Sequence, residues 1–399
     1  MMEKADVLLT YAWVRSSYAA LRSLTKLGLK VAVADTSKVG MGQWSRFSHF
    51  AGTVSNPLTH PAQFVTDINQ LLQKTGATFL LPGHDETEVL AKHRHQLPPT
   101  VMLPIAEYEK IHHANDKSWT SAFAFNNGIP TPATIQWHNF SELKKGLARS
   151  NGPFVVKLRR GNSAKGVFYA STANDVQKLC EKLIEQYGLS PDRYPIIQER
   201  ISGEGWGVSC LYWHGERIAT FTHKRLREKT ATGGTSTLRQ SVRHPELERY
   251  AHKILDALSW HGLAMVEFKY DSVSNQGWFI EINPRLWGSI HLAIASGVDF
   301  PAMLYVAAMD GGHAARKMFR SQKEGIVARW YLGDLIIAAS ELKRFHFGKA
   351  IALTLLGGAD TLDDWDIRDP MAFFGEAAYY LTNAIRYRNM NPIQEGMLG

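Results

Sequence analysis

Two acidic residues, Glu267 and Glu281, with Asn283 and Arg285 close behind in Glu281-Ile282-Asn283-Pro284-Arg285, constrain this chain more than any other feature. The run Gly277-Trp278-Phe279-Ile280-Glu281-Ile282-Asn283 reads as a strand. Strand side chains switch faces at every residue, so Phe279, Glu281 and Asn283 are expected on one face and Ile280 and Ile282 on the core side. Upstream, Ala264 to Tyr270 reads as a second strand, and Asn275 and Gly277 in the connection predict an antiparallel hairpin that sets Glu267 beside Glu281. Two carboxylates and an amide oxygen are hard donors of the kind Mg2+ accepts together with water and substrate phosphates. Taken alone, the same residues also describe a hairpin with a solvated acidic face.

Further upstream, Phe154-Val155-Val156-Lys157-Leu158 reads as a strand entering the loop Arg159 to Val167, rich in glycine, small residues and cations. Such a loop can bring backbone N–H groups and lysines against phosphates, although a plain hairpin turn would use the same residues. A Walker loop needs Gly-Lys followed by Ser or Thr opening a helix, and here Gly166 leads into Val167 and another strand. Tyr194 to Ile201 reads as an apolar strand with polar residues Gln198, Glu199 and Arg200 near its end. Between this strand and the acidic hairpin, Phe221, His223 and Arg225 share a strand face, and Arg225 has the geometry to fork onto a carboxylate or phosphate. The Gly233-Gly234 stretch beyond it offers backbone donors, while a solvated basic face is the simpler account of the run as a whole.

The N-terminal residues 5 to 100 read as an open α/β domain. Val7-Leu8-Leu9 and Leu29 to Asp35 are strands around a helix from Ser17 to Leu27, and Phe79-Leu80-Leu81 is a later strand ending in His84-Asp85-Glu86. Polar residues at such strand ends collect ligands, though Asp85 and Glu86 equally suit the first turn of a helix. No glycine follows the first strand in Thr10 to Ser16, which argues against a dinucleotide fingerprint.

In order and spacing these segments, together with Asn115-Asp116-Lys117 and Gly128-Ile129-Pro130-Thr131-Pro132, resemble the ATP-grasp superfamily over about residues 5 to 312. That superfamily includes D-alanine–D-alanine ligase, biotin carboxylase and carbamoyl phosphate synthetase. The resemblance implies an N-terminal open α/β domain over 1–103 and a two-lobed ATP-grasp domain over 104–312, and residues 313–399, beyond the matched motifs, read as a mainly helical C-terminal extension, for an α/β and α+β architecture in three parts. The smaller lobe would span about 118–195 and the nucleotide and metal lobe about 196–312. By position, Lys117 and Lys157 resemble the two phosphate-contacting lysines, and Gly161, Ser163 and Gly166 belong to the phosphate-covering loop. Gln198, Glu199 and the backbone of Arg200 and Ile201 resemble the adenine hinge. Glu267, Glu281 and Asn283 resemble the ligands of Mg2+, or of Mn2+ in its place, and Arg285 the arginine facing the transferred phosphoryl group. Where many members place an acidic ribose contact, Trp206 and Gly207 stand, and Glu204, the nearest acid, either substitutes or is a solvated turn residue.

The activity implied is ATP-dependent ligation, in which a carboxylate becomes an acyl phosphate and an amine displaces phosphate, with Arg285, Arg225 and Lys157 in the catalytic set. A kinase-like or carboxylating enzyme, or a nucleotide-binding module without catalysis, is the alternative. Length and composition agree with a cytoplasmic enzyme of two or three domains: 399 residues, 45% hydrophobic, with Cys180 and Cys210 the only cysteines and no secretory leader. The charge of +8 would suit nucleic acid, but the cations gather around Lys157 to Lys165 and Lys224 to Lys229, where a triphosphate and an acidic substrate account for them. The apolar segment from Leu292 to Met309 is interrupted by Asp299 and Pro301 and fails as a membrane span. Beyond Gly312, Asp334 to Leu342 and Pro370 to Arg386 read as helices whose Leu335, Ile336, Ile337, Phe373, Phe374, Tyr380 and Leu381 pack on the catalytic domains or on a second subunit of a homo-oligomer. A peripheral membrane contact beside Lys343, Arg344 and Lys349 is the competing use of that region.

Overall fold

The computed structural model describes residues 4–161, 165–229, 234–355 and 357–388. Its N-terminal sheet is parallel, with strands in the order Ser48–Thr53, Val31–Asp35, Val7–Leu9, Phe79–Leu81. Val7–Leu9, Val31–Asp35 and Phe79–Leu81 are buried along their whole length, as expected for parallel strands covered on both faces. The helix Arg15–Lys26 buries Tyr18, Leu21 and Leu24 against this sheet.

A second, antiparallel sheet forms a small lobe in the order Thr134–Ile135, Ile196–Glu199, Phe154–Lys157, Val167–Ala170. The helices Phe140–Leu147 and Ala173–Tyr187 cover one face of it, burying Leu143, Leu147, Val176 and Leu183 against Phe154, Val156 and Ile197. The longer helix is fixed at its start by a capping box between Thr172 and Asp175.

The third sheet has seven strands, in the order Gln276–Asn283, Gly262–Asp271, Glu204–Trp213, Glu216–Glu228, Ser236–Ser241, Val327–Arg329, Thr361–Leu362. Its two faces feed two cores. On one side Val208, Cys210, Val266 and Phe279 pack under the helix Pro245–Ala257. On the other, Leu211, Phe221 and Met265 join Trp287, Phe300 and the Arg15–Lys26 helix, so one continuous apolar cluster welds the N-terminal domain to the large sheet.

The large sheet runs past residue 312, because Val327–Arg329 pairs with Ser236–Ser241 and Thr361–Leu362 adds a parallel neighbour. The boundary expected at 312 therefore falls inside the sheet. The segment that follows is mainly helical, with Tyr331–Lys343, Phe347–Thr354 and Pro370–Tyr387. Asp334, expected to open the first of these, is instead a fully buried residue of its first turn, where Arg227 and Arg329 converge on its carboxylate. Tyr380 is buried as expected, while Phe374 and Leu381 are 51% and 61% exposed and do not pack on the catalytic domains. Gly375 lets the last helix meet the N-terminal domain: a Cβ there would lie 2.4 Å from the Gly40 carbonyl oxygen. Among the described residues no helix is long and apolar enough to cross a membrane.

Candidate active site

The acidic hairpin forms as its spacing predicts. Gly262–Asp271 and Gln276–Asn283 pair antiparallel with Glu267 directly opposite Glu281. Asn283 Nδ2 lies 3.3 Å from Glu267 Oε1 and 3.5 Å from Glu281 Oε1, so the three side chains converge on one point. The alternation expected along the second strand is broken. A register shift beside Glu267 pairs Phe268 with Phe279, leaving Ile280 as an extra residue. Ile280 therefore lines the cavity beside Glu281, while Phe279 turns into the core at 1% exposure, the reverse of the predicted faces.

Cations surround the two carboxylates. Arg225 Nη2 lies 2.6 Å from Glu267 Oε2, and Lys117 Nζ lies 3.5 Å from Glu281 Oε2. Burial pushes the Glu267 carboxyl above its ordinary range, with Arg225 opposing and Glu281 reinforcing the rise. Burial also acts on Glu281, but Lys117, Lys157 and Arg285 together hold it below the usual carboxylate range. The site thus pairs two like charges only because cations enclose them. Three side-chain oxygens at one point fit a hard divalent ion, Asn283 presenting Oδ1 once its amide is turned over. Among the described residues no group of three His, Cys, Asp or Glu side chains is placed to hold a metal ion, so such an ion would draw its remaining ligands from water or substrate.

Opposite this wall, the strand Phe154–Lys157 delivers Lys157, and the helix Lys117–Asn126 delivers Lys117 from its first position. That helix is capped by Asp116, which accepts from Ser118 N at 2.9 Å and is also gripped by Arg159. Lys117 Nζ donates to the Gly161 carbonyl, which ties the helix to the glycine loop. Burial depresses the Lys157 ammonium to about 8 against the pull of Glu281, and burial likewise takes Lys165 to about 8. Arg160 faces away, 2.9 Å from Glu88.

These groups line one cavity of about 740 Å³ together with Gly161, Gln198, Glu199, Arg200, Ile201, Arg225 and Arg285. Gly166 stands behind the wall. Its φ of +75° closes the turn, and its carbonyl accepts from Leu158 N at 2.8 Å. Ser163 lies outside the described residues, as does Gly233. At the hinge strand, Gln198 Nε2 donates to Thr134 Oγ1 at 3.0 Å, and the Arg200 N–H donates to the Pro153 carbonyl at 2.9 Å. Arg285 is aimed by Asp85, whose Oδ1 lies 3.2 Å from Nε. Glu86 takes the helix-start role instead, buried and accepting from Thr10 Oγ1 and the Gly83 and His84 N–H groups.

His223 accompanies Arg225, as the shared strand face predicts, and meets Ser289 Oγ at 3.0 Å. Other wall residues escape sequence reasoning, among them Arg15, which reaches the Gly288 carbonyl at 3.3 Å. The signal that could have found Arg15 is its position just past the first parallel strand, where open α/β sheets collect ligands. Trp330 and Tyr380 carried no such signal, because only the folded C-terminal segment brings them here.

The fold is ATP-grasp-like. Residues 193–331 match the family described as ATP-grasp in the biosynthetic pathway with Ter operon, a span that holds Glu199, Arg225, Glu267, Glu281, Asn283, Arg285 and Trp330. A carbamoyl-phosphate synthase of Methanobrevibacter smithii is 26% identical over 238 residues, covering 56% of this chain and 61% of that protein, less than two thirds of its length. The biotin carboxylase of Campylobacter jejuni superposes with a TM-score of 0.64 at 14% identity, over 81% of this chain and 74% of that one. Pyruvate carboxylase of Rhizobium etli superposes with a TM-score of 0.63 at 15% identity, over 79% of this chain but 30% of that one.

Proposed function

We propose that the chain is an ATP-dependent, ADP-forming ligase that joins a carboxylate to an amine in the cytoplasm. The observation that carries this reading is the convergence of Glu267, Glu281 and Asn283 on one wall of a cavity whose other wall presents Lys117 and Lys157. Support comes from the relatives: the biotin carboxylase of this fold is known in complex with β,γ-ATP, and the curated relative is a carbamoyl-phosphate synthase.

In this reading Gln198 to Ile201 receive the base, and Lys117 and Lys157 hold phosphate oxygens. Glu267, Glu281 and Asn283 would hold Mg2+, which when bound neutralises charge on the terminal phosphates. A substrate carboxylate oxygen attacks the γ-phosphorus. The bond to the β–γ bridging oxygen breaks, and its electron pair leaves with ADP. Arg285, held by Asp85, stabilises the charge that develops on the transferred group, and Arg225 orients the carboxylate. An amine nitrogen then attacks the acyl carbon, phosphate departs, and the nitrogen gives up a proton. Walls drawn from three sheets exclude water that would hydrolyse the acyl phosphate.

The test is an ADP-release screen over carboxylates with hydroxylamine as the acceptor. Hydroxamate formed in step with ADP supports the ligase. A stable phosphorylated product without amine would instead make the protein a kinase.

A further inference from the structure

After Trp330 the chain forms a helical hairpin, with Tyr331–Lys343 running out from the large sheet and Phe347–Thr354 running back. Its base is clamped. Arg329 donates to the Leu353 carbonyl and to the Asp334 carboxylate, each at 2.5 Å, and Tyr331 Oη donates to the Thr354 carbonyl at 3.1 Å. Along the inner faces Ala338, Ala350 and Leu353 pack together with Ile337. The turn itself is bare: every residue from 342 to 349 is exposed.

That turn is built against ordinary folding preferences. Phe345 has a φ of +61°, a region that glycine enters freely and a bulky residue enters only at a cost, and its ring is 79% exposed, so the fold gains no burial in return. A strained aromatic that buries nothing points to a use outside the fold. Phe347 stands edge-on to it with centroids 6.3 Å apart and begins an outward stripe continued at four-residue intervals by Ile351 and Leu355, which are 60% and 61% exposed.

Positive charge flanks the aromatic pair. Between residues 341 and 355 the sequence holds the cations Lys343, Arg344 and Lys349 and a single acid, Glu341. Glu341 is buried and engaged inside the turn, 2.8 Å from His346 Nδ1 and 3.2 Å from Lys349 Nζ, which leaves Lys343 and Arg344 as the net charge of the turn. A second copy of the chain is a poor match for this face. Association about a twofold axis sets a patch against itself, and would bring Lys343 and Arg344 toward their own counterparts with no further acid in the turn to answer them. A bilayer with anionic headgroups matches both features, since phenyl rings enter the boundary between headgroups and acyl chains while lysine and arginine meet the phosphates.

We propose that the hairpin turn docks the protein on an anionic lipid surface, with Phe345 and Phe347 inserted and Lys343 and Arg344 against the headgroups. None of these four residues lines the cavity, so docking is independent of the ligase reading.

The experiment is flotation of the full-length protein with phosphatidylcholine vesicles and with vesicles that contain about 30% phosphatidylserine, over a range of lipid concentrations. Binding to the anionic vesicles is expected to be at least about tenfold tighter than to the neutral ones, and to weaken by about tenfold when NaCl is raised from about 0.1 M to about 0.5 M. Phe345→Ser/Phe347→Ser should weaken it by at least about tenfold with the charge intact. Lys343→Gln/Arg344→Gln should weaken it by about tenfold although nearly all of the chain's positive charge remains. All four side chains are exposed, so both variants should melt as wild type does and bind Mg-ATP within about twofold of it. No flotation of wild type with anionic vesicles, equal flotation with both kinds, or unchanged flotation of either variant overturns the proposal. Light scattering without lipid supplies a further arm: a dimer that Phe345→Ser/Phe347→Ser converts to a monomer would assign the face to a second copy and overturn it as well. Failure of wild type to bind Mg-ATP would sink the ligase reading and leave the flotation result standing.

Discussion

The Asp85 carboxylate, at the end of a strand of the N-terminal parallel sheet, lies 3.2 Å from Nε of Arg285, which follows the last residue pair of the acidic hairpin in the large sheet. Arg285 is therefore aimed by a residue from another domain, and the apolar cluster shared by Leu9, Tyr18, Phe221 and Trp287 keeps the two sheets in register.

Removing that aim should cost turnover more than binding. Asp85→Asn is expected to lower ADP formation by about ten- to a hundredfold, the usual cost of losing a partner that orients a functional group. Mg-ATP affinity, measured by calorimetry, should change by less than about threefold. An unchanged rate would show that Arg285 finds its geometry without Asp85.

Nucleotide binding should weaken as pH rises through about 8. Burial depresses Lys157 and Lys165 to about 8, so below that pH the free protein presents charged ammonium groups, and above it polyphosphate binding has to take up protons. Calorimetry in buffers of different ionisation enthalpy should detect proton uptake near pH 9 and little at pH 6.5. For folding the sign is opposite. The folded state binds fewer protons than the unfolded chain between about 8 and the ordinary lysine value of 10.5, so the cost of burying these lysines is full below pH 8 and is relieved as pH rises. Affinity that is flat from pH 7 to 9.5 would contradict the placement of Lys157 against phosphate.

Arg239 and Asp363 form an ion pair in which both side chains are fully buried, and Asp363 also faces Arg15 at 3.3 Å. Breaking it leaves a buried guanidinium uncompensated. Asp363→Ala is expected to destabilise the protein by about 3–5 kcal/mol, read from the denaturant midpoint at constant slope. A loss below about 1 kcal/mol would mean that water or a shifted side chain replaces the carboxylate.

Much of this site could be read from residue order. The hairpin, the lysine-bearing strand and the hinge strand each announce themselves by local periodicity, and Glu267 fell opposite Glu281 as the turn residues required. Local periodicity failed where the structure departs from it. The extra residue at Ile280 inverted the faces of Phe279 and Ile280, because a bulge is a property of the strand pair and not of one strand. The role of Asp85 was equally hidden, since its partner lies on another sheet. The sequence of the C-terminal segment predicts covering helices, yet Trp330 and Tyr380 reach the cavity and Val327–Arg329 extends the large sheet. Those placements depend on long-range pairing such as Arg239 with Asp363, for which sequence spacing holds no rule.

The decisive measurement is the binding of ATP to wild type and to Glu281→Gln, each with and without Mg2+. If Glu267, Glu281 and Asn283 grip an ion that bridges nucleotide oxygens, Mg2+ should tighten ATP binding to wild type, and Glu281→Gln should lose at least about tenfold of that gain while metal-free binding changes little. Equal Mg-ATP affinity in the two proteins, or a wild type indifferent to Mg2+, would show that the acidic hairpin serves the fold and not the nucleotide.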